Sequence, residues 1–219
     1  MEINKSRIKN NLNTKRVFFL TQYFPPDYAS TGQIMRDLIY KLGNKSTIVY
    51  TGFPSYAINK NFKINSFEEY KNIKIYRTFL SDFWPKKVKG RIINSLLFTF
   101  NVFIKLLFNS NRNDLLVYTS EPPFLNVISW IINLFKKSPY ILILFDIYPE
   151  LITEISILRE NNLIIKFWKL LNKITFYLSK EIVVLNEEMK EKIILNYELD
   201  HRKISVISTW IDEKKLEFI

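Results

Sequence analysis

Cysteine is absent from the 219 residues, and histidine occurs once, at His201. Neither a disulfide framework nor a thiolate metal site can form, and histidine-rich metal chemistry is excluded by the same count. The composition agrees with a cytoplasmic setting. His201 stands in the polar turn YELDHRK and reads as a solvated surface residue rather than a base. Glycine is also scarce, at four residues, and no P-loop or glycine-rich dinucleotide fingerprint occurs, which argues against a complete single-domain nucleotide-binding protein. No acidic pair with ligand-like spacing stands at a strand end, so no metal is implied. Arginine supplies only 8 of the 32 basic residues, and no RNA-binding signature, zinc finger or basic zipper appears. A nucleic-acid partner is therefore not expected, although non-specific attraction to phosphate stays open at a formal charge of +11. The N-terminal MEINKSRIKNNLNTKR lacks the apolar core and small-residue cleavage site of a signal peptide, so residues 1–15 are expected to form a polar, disordered tail.

At 26.3 kDa the chain can bury a substantial core and fits one large domain, expected over residues 16–210. Its first regular structure is RVFFLTQYFPPDYASTGQIMRDLIYKLG. Val17 to Thr21 suits a buried strand closed by Pro25 and Pro26, and Ser30 with Gln33 has capping-box spacing. Ile34, Leu38, Ile39 and Leu42 then follow at helical intervals until Gly43. The loop ends on a helix N-terminus, where phosphate or carboxylate could bind beside Thr31 and Gly32; a plain helix cap explains the same residues.

Strands are expected at Thr47–Thr51, Ile73–Phe79, Leu115–Thr119, Tyr140–Phe145, Glu181–Leu185 and Lys203–Ile207, with helices between them, one marked by the stripe Leu163, Phe167, Leu170, Leu171 and Ile174. Tyr140–Phe145 is the most hydrophobic and should lie inside a parallel sheet. The alternation implies an α/β fold: a doubly wound, mostly parallel, Rossmann-like sheet with its ligand crevice at the carboxyl ends of the strands. That edge collects Tyr23 to Gln33, Thr119 to Pro123 with Glu121, Asp146 to Glu150, and Asn186 with Glu187, and a polar cleft is the inference. Asp146, directly after LILF, should be partly desolvated and so suited to proton transfer, or else it caps the following turn. Glu150 reads as a solvated helix charge, and Asn186 as the cap of the helix beginning EEMKEKI.

Phe83 to Asn113 contains no Asp or Glu and carries Lys86, Lys87, Lys89 and Arg91 ahead of IINSLLFTFNVFIKLLF. Ile92, Ile93, Leu96, Leu97, Phe100, Ile104, Leu107 and Phe108 make one stripe, with Phe98 and Val102 opposite. The apolar run from Ile92 to Phe108 falls short of the roughly 20 residues needed to span a bilayer. A core helix presenting its basic end to an anionic leaflet, a peripheral membrane contact, is the expectation.

FFLTQYFPPDYASTG, VYTSEPPF, ILILFDIYPE, IVVLNEEMKEKI and KISVISTWID, in this order over residues 16–214, resemble the N-terminal half of family 4 glycosyltransferases of the GT-B fold, in particular bacterial enzymes of cell-surface polysaccharide synthesis. The resemblance implies retaining sugar transfer from a nucleotide-sugar co-substrate, with no resident cofactor, to a glycan or polyprenol-linked acceptor at the inner membrane face. It implies that the Gly32 amide region approaches the donor diphosphate, that Tyr23, Thr31 and Glu121 line the acceptor side, and that Asp146 faces the reacting sugar. Ala29, Ser30, Thr31 and Gly32 stand where the family often has paired glycines, and Ser208 and Thr209 where it has Pro-Asn. Residues 211–219 would begin an interdomain linker, with the donor-binding domain absent through truncation, a split gene with a separate donor-binding chain, or an incomplete record. A non-catalytic module binding a membrane surface or an acidic partner on the same fold is the alternative.

Overall fold

The computed structural model describes residues 15–42, 46–54, 64–78 and 88–208. All of the expected tail over residues 1–15 except Lys15, the linker over 211–219, and Lys86 and Lys87 lie outside them. Eight strands form one sheet: β1 Arg16–Leu20, β2 Ser46–Gly52, β3 Phe67–Tyr70, β4 Ile73–Thr78, β5 Asp114–Thr119, β6 Tyr140–Leu144, β7 Glu181–Val184 and β8 Ile204–Val206. Among the described residues six α-helices accompany them: α1 Ser30–Leu42, α2 Val88–Asn109, α3 Val127–Lys136, α4 Glu150–Glu154, α5 Leu163–Leu178 and α6 Glu187–Tyr197.

The spatial order is β3-β4-β2-β1-β5-β6-β7-β8, parallel throughout except for β3, which runs antiparallel to β4. The sheet is the doubly wound, mostly parallel type expected. β3 (FEEY) was not anticipated because an exposed edge strand carries no apolar alternation. Strand order reverses between β1 and β5, which pair in register from Arg16 with Asp114 to Leu20 with Tyr118. Successive side chains then fall on opposite faces. Phe18, Leu20, Leu116, Tyr118, Leu142 and Val184 share a core with α2, α3, α5 and α6. Phe19, Val49, Ile75 and Val117 share the other with Met35 and Ile39 of α1. Each large apolar side chain so buried contributes about 1.5–3 kcal/mol. At the far end of β1, Arg16 clamps the buried Asp114 carboxylate through Nε (3.0 Å) and Nη2 (2.8 Å), tying the two central strands together.

α2 and α5 seat on other faces than their apolar stripes suggest, whereas α1 keeps Leu38 and Ile39 of its stripe against the core. α1 buries Thr31, Gly32, Met35 and Ile39, while Leu42 is exposed. α2 buries Phe98, Val102 and Leu106, and leaves Ile92, Ile93, Leu96, Phe100, Ile104 and Phe108 exposed. α5 buries Ile165, Trp168, Asn172, Thr175 and Phe176, and turns Leu163, Phe167 and Leu170 to solvent. α2 and α5 are apolar nearly all round, so periodicity alone does not choose the seated side.

Candidate active site

The loops after β1, β5 and β6 meet at the carboxyl edge, on either side of the point where strand order reverses. Buried polar groups lock them in place. Gln22 O accepts from Gly52 N (2.9 Å) and Thr51 Oγ1 (3.2 Å). Thr119 Oγ1 donates to Glu121 O (2.8 Å), and Gln22 N donates to the same carbonyl (3.3 Å). Ser120 Oγ accepts from the backbone N–H groups of Phe145 (2.9 Å) and Asp146 (3.1 Å), fixing the third loop to the second. Each loop holds one cis peptide bond, Pro25-Pro26, Glu121-Pro122 and Tyr148-Pro149.

Thr31, in the first turn of α1, donates its hydroxyl to Glu121 Oε2 at 2.7 Å, across 90 residues of sequence. The start of this helix is built by Asp27: its Oδ1 accepts from Ala29 N (3.1 Å), and the Gln33 amide reaches back to Asp27 O (3.0 Å). Asp27 thus makes an Asx turn just ahead of the helix, while Ser30 lies exposed in its first turn. A Cβ on Gly32 would stand 3.1 Å from Tyr23 C and 3.2 Å from Phe24 N, so glycine here lets α1 close onto the loop backbone.

Glu121 and Asp146 are half-buried carboxylates that sense one another. Burial lifts Glu121 above the ordinary carboxylate range; the Thr31 hydrogen bond opposes the lift, and the charge of Asp146 adds to it. Burial also lifts Asp146. Among the described residues no hydrogen bond or ion pair engages the Asp146 carboxylate, so it caps no turn there. Beside the pair stands Tyr148, whose phenol is pushed up to about 12 by burial, then by Asp146, Glu121 and Tyr23, and stays a neutral donor. Tyr148 lies parallel to Trp168 at 6.2 Å, and Trp168 stacks on Phe124 at 4.7 Å, forming an aromatic wall. Phe124 and Trp168 were not expected here, while Ser120 and Tyr148 lie in the segments expected at this edge without being singled out. The signal for Tyr148 was present, an aromatic just past a strand end in FDIYPE.

The structure therefore gathers the loop over residues 23–33, Glu121 and Asp146 at one carboxyl edge: Thr31 bonds Glu121, the Gln33 amide is turned to Asp27 O, and Ser30 is exposed. Asn186 stays at the same edge beyond β7, where its Oδ1 caps α6 by accepting from Met189 N at 2.8 Å. Glu150 is not a solvated charge. It is buried, and its Oε1 accepts from Tyr197 Oη (2.7 Å) and Asn196 Nδ2 (3.4 Å), because α4 packs inward against α6. A separate hollow of about 550 Å³ lies between α1 and the β3–β4 edge, lined by Phe24, Arg36, Tyr40 and Glu68, away from the carboxylates.

No protein-family model and no curated protein matches this sequence. Solved structures do match in shape. Sucrose-phosphate synthase from Thermosynechococcus elongatus superposes with a TM-score of 0.63 at 8% identity, over 91% of this chain and 49% of its own. The catalytic domain of starch synthase IV from Arabidopsis thaliana, bound to ADP and acarbose, gives 0.58 at 10% identity over 92% and 53%. Arabidopsis thaliana UGT89C1 with UDP-L-rhamnose gives 0.55 at 13% over 94% and 54%. The fold is the Rossmann-like half of a GT-B glycosyltransferase architecture. The chain spans about half the length of these structures.

Proposed function

We propose that this chain is the acceptor-binding half of a retaining glycosyltransferase of the family 4 type, acting in cell-surface polysaccharide synthesis and inactive without a donor-binding half. The observation that carries the reading is the cleft at the strand-order reversal, where Asp146 stands unpaired beside Glu121. Ligands of open α/β sheets bind at that point. Tyr23, Thr31 and Glu121 would orient acceptor hydroxyls, Tyr148 and Trp168 would offer a flat apolar wall to a sugar ring, and Asp146 would face the reacting sugar. A nucleotide-sugar, as bound by UGT89C1, is the expected co-substrate. A saccharide or polyprenol-linked acceptor is expected, in the cytoplasm or on the inner membrane face. Donor positioning supplies much of the rate in such transfers, so this half needs its partner half in the same or a separate chain.

The test is transfer of labelled sugar to saccharide and polyprenol-linked acceptors after a donor-binding half is supplied. Transfer that disappears in Asp146→Ala, with circular dichroism unchanged, is the expected result. Transfer that survives Asp146→Ala would remove Asp146 from the mechanism, and failure to bind any acceptor would sink the assignment. The alternative, a non-catalytic module binding a membrane surface, is favoured by the apolar side chains that α2 and α5 leave exposed. Salt-sensitive membrane binding with no sugar transfer under any pairing would select it.

A further inference from the structure

We infer that the outer face of the layer formed by α2, α3 and α5 docks on an anionic lipid bilayer, with the cleft at its rim. The three helices lie side by side on one face of the sheet and together carry seven Lys or Arg residues and no Asp or Glu of their own, although Lys169 and Lys173 pair with Glu160 and Glu198 outside the layer. Their outward side is apolar. Phe100 is 62% and Phe108 82% exposed on α2, and Leu163 is 81% and Phe167 60% exposed on α5, with Leu134 and Phe135 of α3 between them. Scattered exposed apolar side chains are ordinary, whereas a continuous face along three neighbouring helices is not.

α2 is longer than its apolar run. Lys89–Asn109 has the length and composition to cross a membrane, yet 28% of it is buried and Phe98, Val102 and Leu106 sit in the sheet's core. Leaving that core to span would forfeit their burial, so the helix fits a position lying in the interface, apolar side down.

Charge names the occupant. Lys89 and Arg91 stand in the first turn of α2, where the positive end of the helix dipole disfavours cations, and neither α2 nor α5 has an acid in its first turn. Helix stability does not account for that arrangement, whereas a negatively charged surface does. A second copy of this chain fits worse, since a self-complementary contact would oppose two cationic faces on molecules of formal charge +11. Lys105 takes no part, because it turns inward over the Tyr50 ring at 5.1 Å.

Connectivity sets the geometry. Each helix follows a parallel strand, so the N-termini of α2, α3 and α5 lie at the carboxyl edge that holds the cleft. Ser95 Oγ of α2 donates to Gln22 Oε1 of the first loop at 3.3 Å, joining layer and cleft directly. If the proposed acceptor reading holds, a lipid-linked acceptor would reach Asp146 from the plane of the membrane. Docking itself does not depend on that reading.

The test is flotation of the 219-residue chain with phosphatidylcholine vesicles, with and without phosphatidylglycerol, in the absence of any sugar. The chain is expected to float only with the anionic vesicles and to be released by salt. Lys89→Gln with Lys166→Gln, both exposed, should lower partitioning about thirtyfold. Phe100→Gln with Phe167→Gln should abolish flotation even at low salt, with circular dichroism unchanged in both variants. Equal flotation with neutral vesicles, or indifference to both variant pairs, would overturn the inference. So would absence of flotation from a chain that light scattering finds dimeric, which would assign the face to a second copy. Loss of sugar transfer with flotation intact would count against the enzymatic reading alone.

Discussion

Replacing Thr31 by Val probes the contact that closes the cleft. The change is nearly isosteric, keeps a β-branched residue in the first turn of α1, and deletes the hydroxyl that donates to Glu121 Oε2 at 2.7 Å. At neutral pH the acceptor is a half-buried carboxylate, and a bond of that class is worth about 1.5–3 kcal/mol. Burial raises the Glu121 pKa and the Thr31 bond restrains it, so removing the hydroxyl lets the pKa climb further. A carboxyl whose folded pKa lies above its unfolded value loses stability as pH rises between the two, and the variant deepens that loss. Near pH 4, about the ordinary glutamate value, the folded state holds the proton and the missing interaction shrinks to that of a neutral hydroxyl, about 0.5–1.5 kcal/mol. Urea unfolding at both pH values, with m unchanged, reads the difference. The expected destabilisation is larger at neutral pH, and in a Glu121→Gln background it falls to the neutral value at both. Equal losses at the two pH values, or a loss under about 0.5 kcal/mol at neutral pH, would refute the charge-assisted account.

Gly32→Ala should cost about 1 kcal/mol, since overpacking against the Tyr23–Phe24 peptide at 3.1 and 3.2 Å outweighs the helix propensity gained; an unchanged urea midpoint would show that the loop yields. Tyr197→Phe removes the shorter of the two donors to buried Glu150 Oε1 and should cost about 1.5–3 kcal/mol, read by thermal or urea unfolding, whereas loss of activity without loss of stability would place Glu150 in the cleft after all. Asp146→Asn should raise the melting temperature at neutral pH, because burial has lifted this carboxyl and ionising it costs stability as pH rises from the usual aspartate value to the raised one. The gain should vanish in acid, and a variant less stable at neutral pH would mean that an ion partner holds Asp146.

The strands were legible because a parallel sheet buries them on both faces, which leaves near-continuous apolar runs such as YILIL and DLLVYT. The cleft loops were legible for the same reason, since polar and proline residues break off abruptly where those runs end. Seating of the helices was not. In α2 and α5 the seated side carries polar residues whose needs are met only in three dimensions. Asn172 Nδ2, for instance, donates to Tyr148 O at 2.5 Å and to Tyr197 Oη at 3.4 Å. A polar residue in an apolar helix looks like the solvent side until its partner is known, and Asn94 and Thr99, both buried in α2, mislead in the same way.

That reversal links the two halves of the functional reading. Had the large apolar stripes of α2 and α5 faced the sheet, the chain would have been an ordinary doubly wound α/β domain with a charged surface. Polar residues are buried on the inner side instead, and Phe100, Phe108 and Phe167 are left outside, with cations at helix ends that do not favour them. The right-handed crossovers of a parallel sheet then carry the basic helix ends to the edge that holds Glu121 and Asp146. The proposed lipid-facing surface and the proposed acceptor cleft share one edge because one topology places both there.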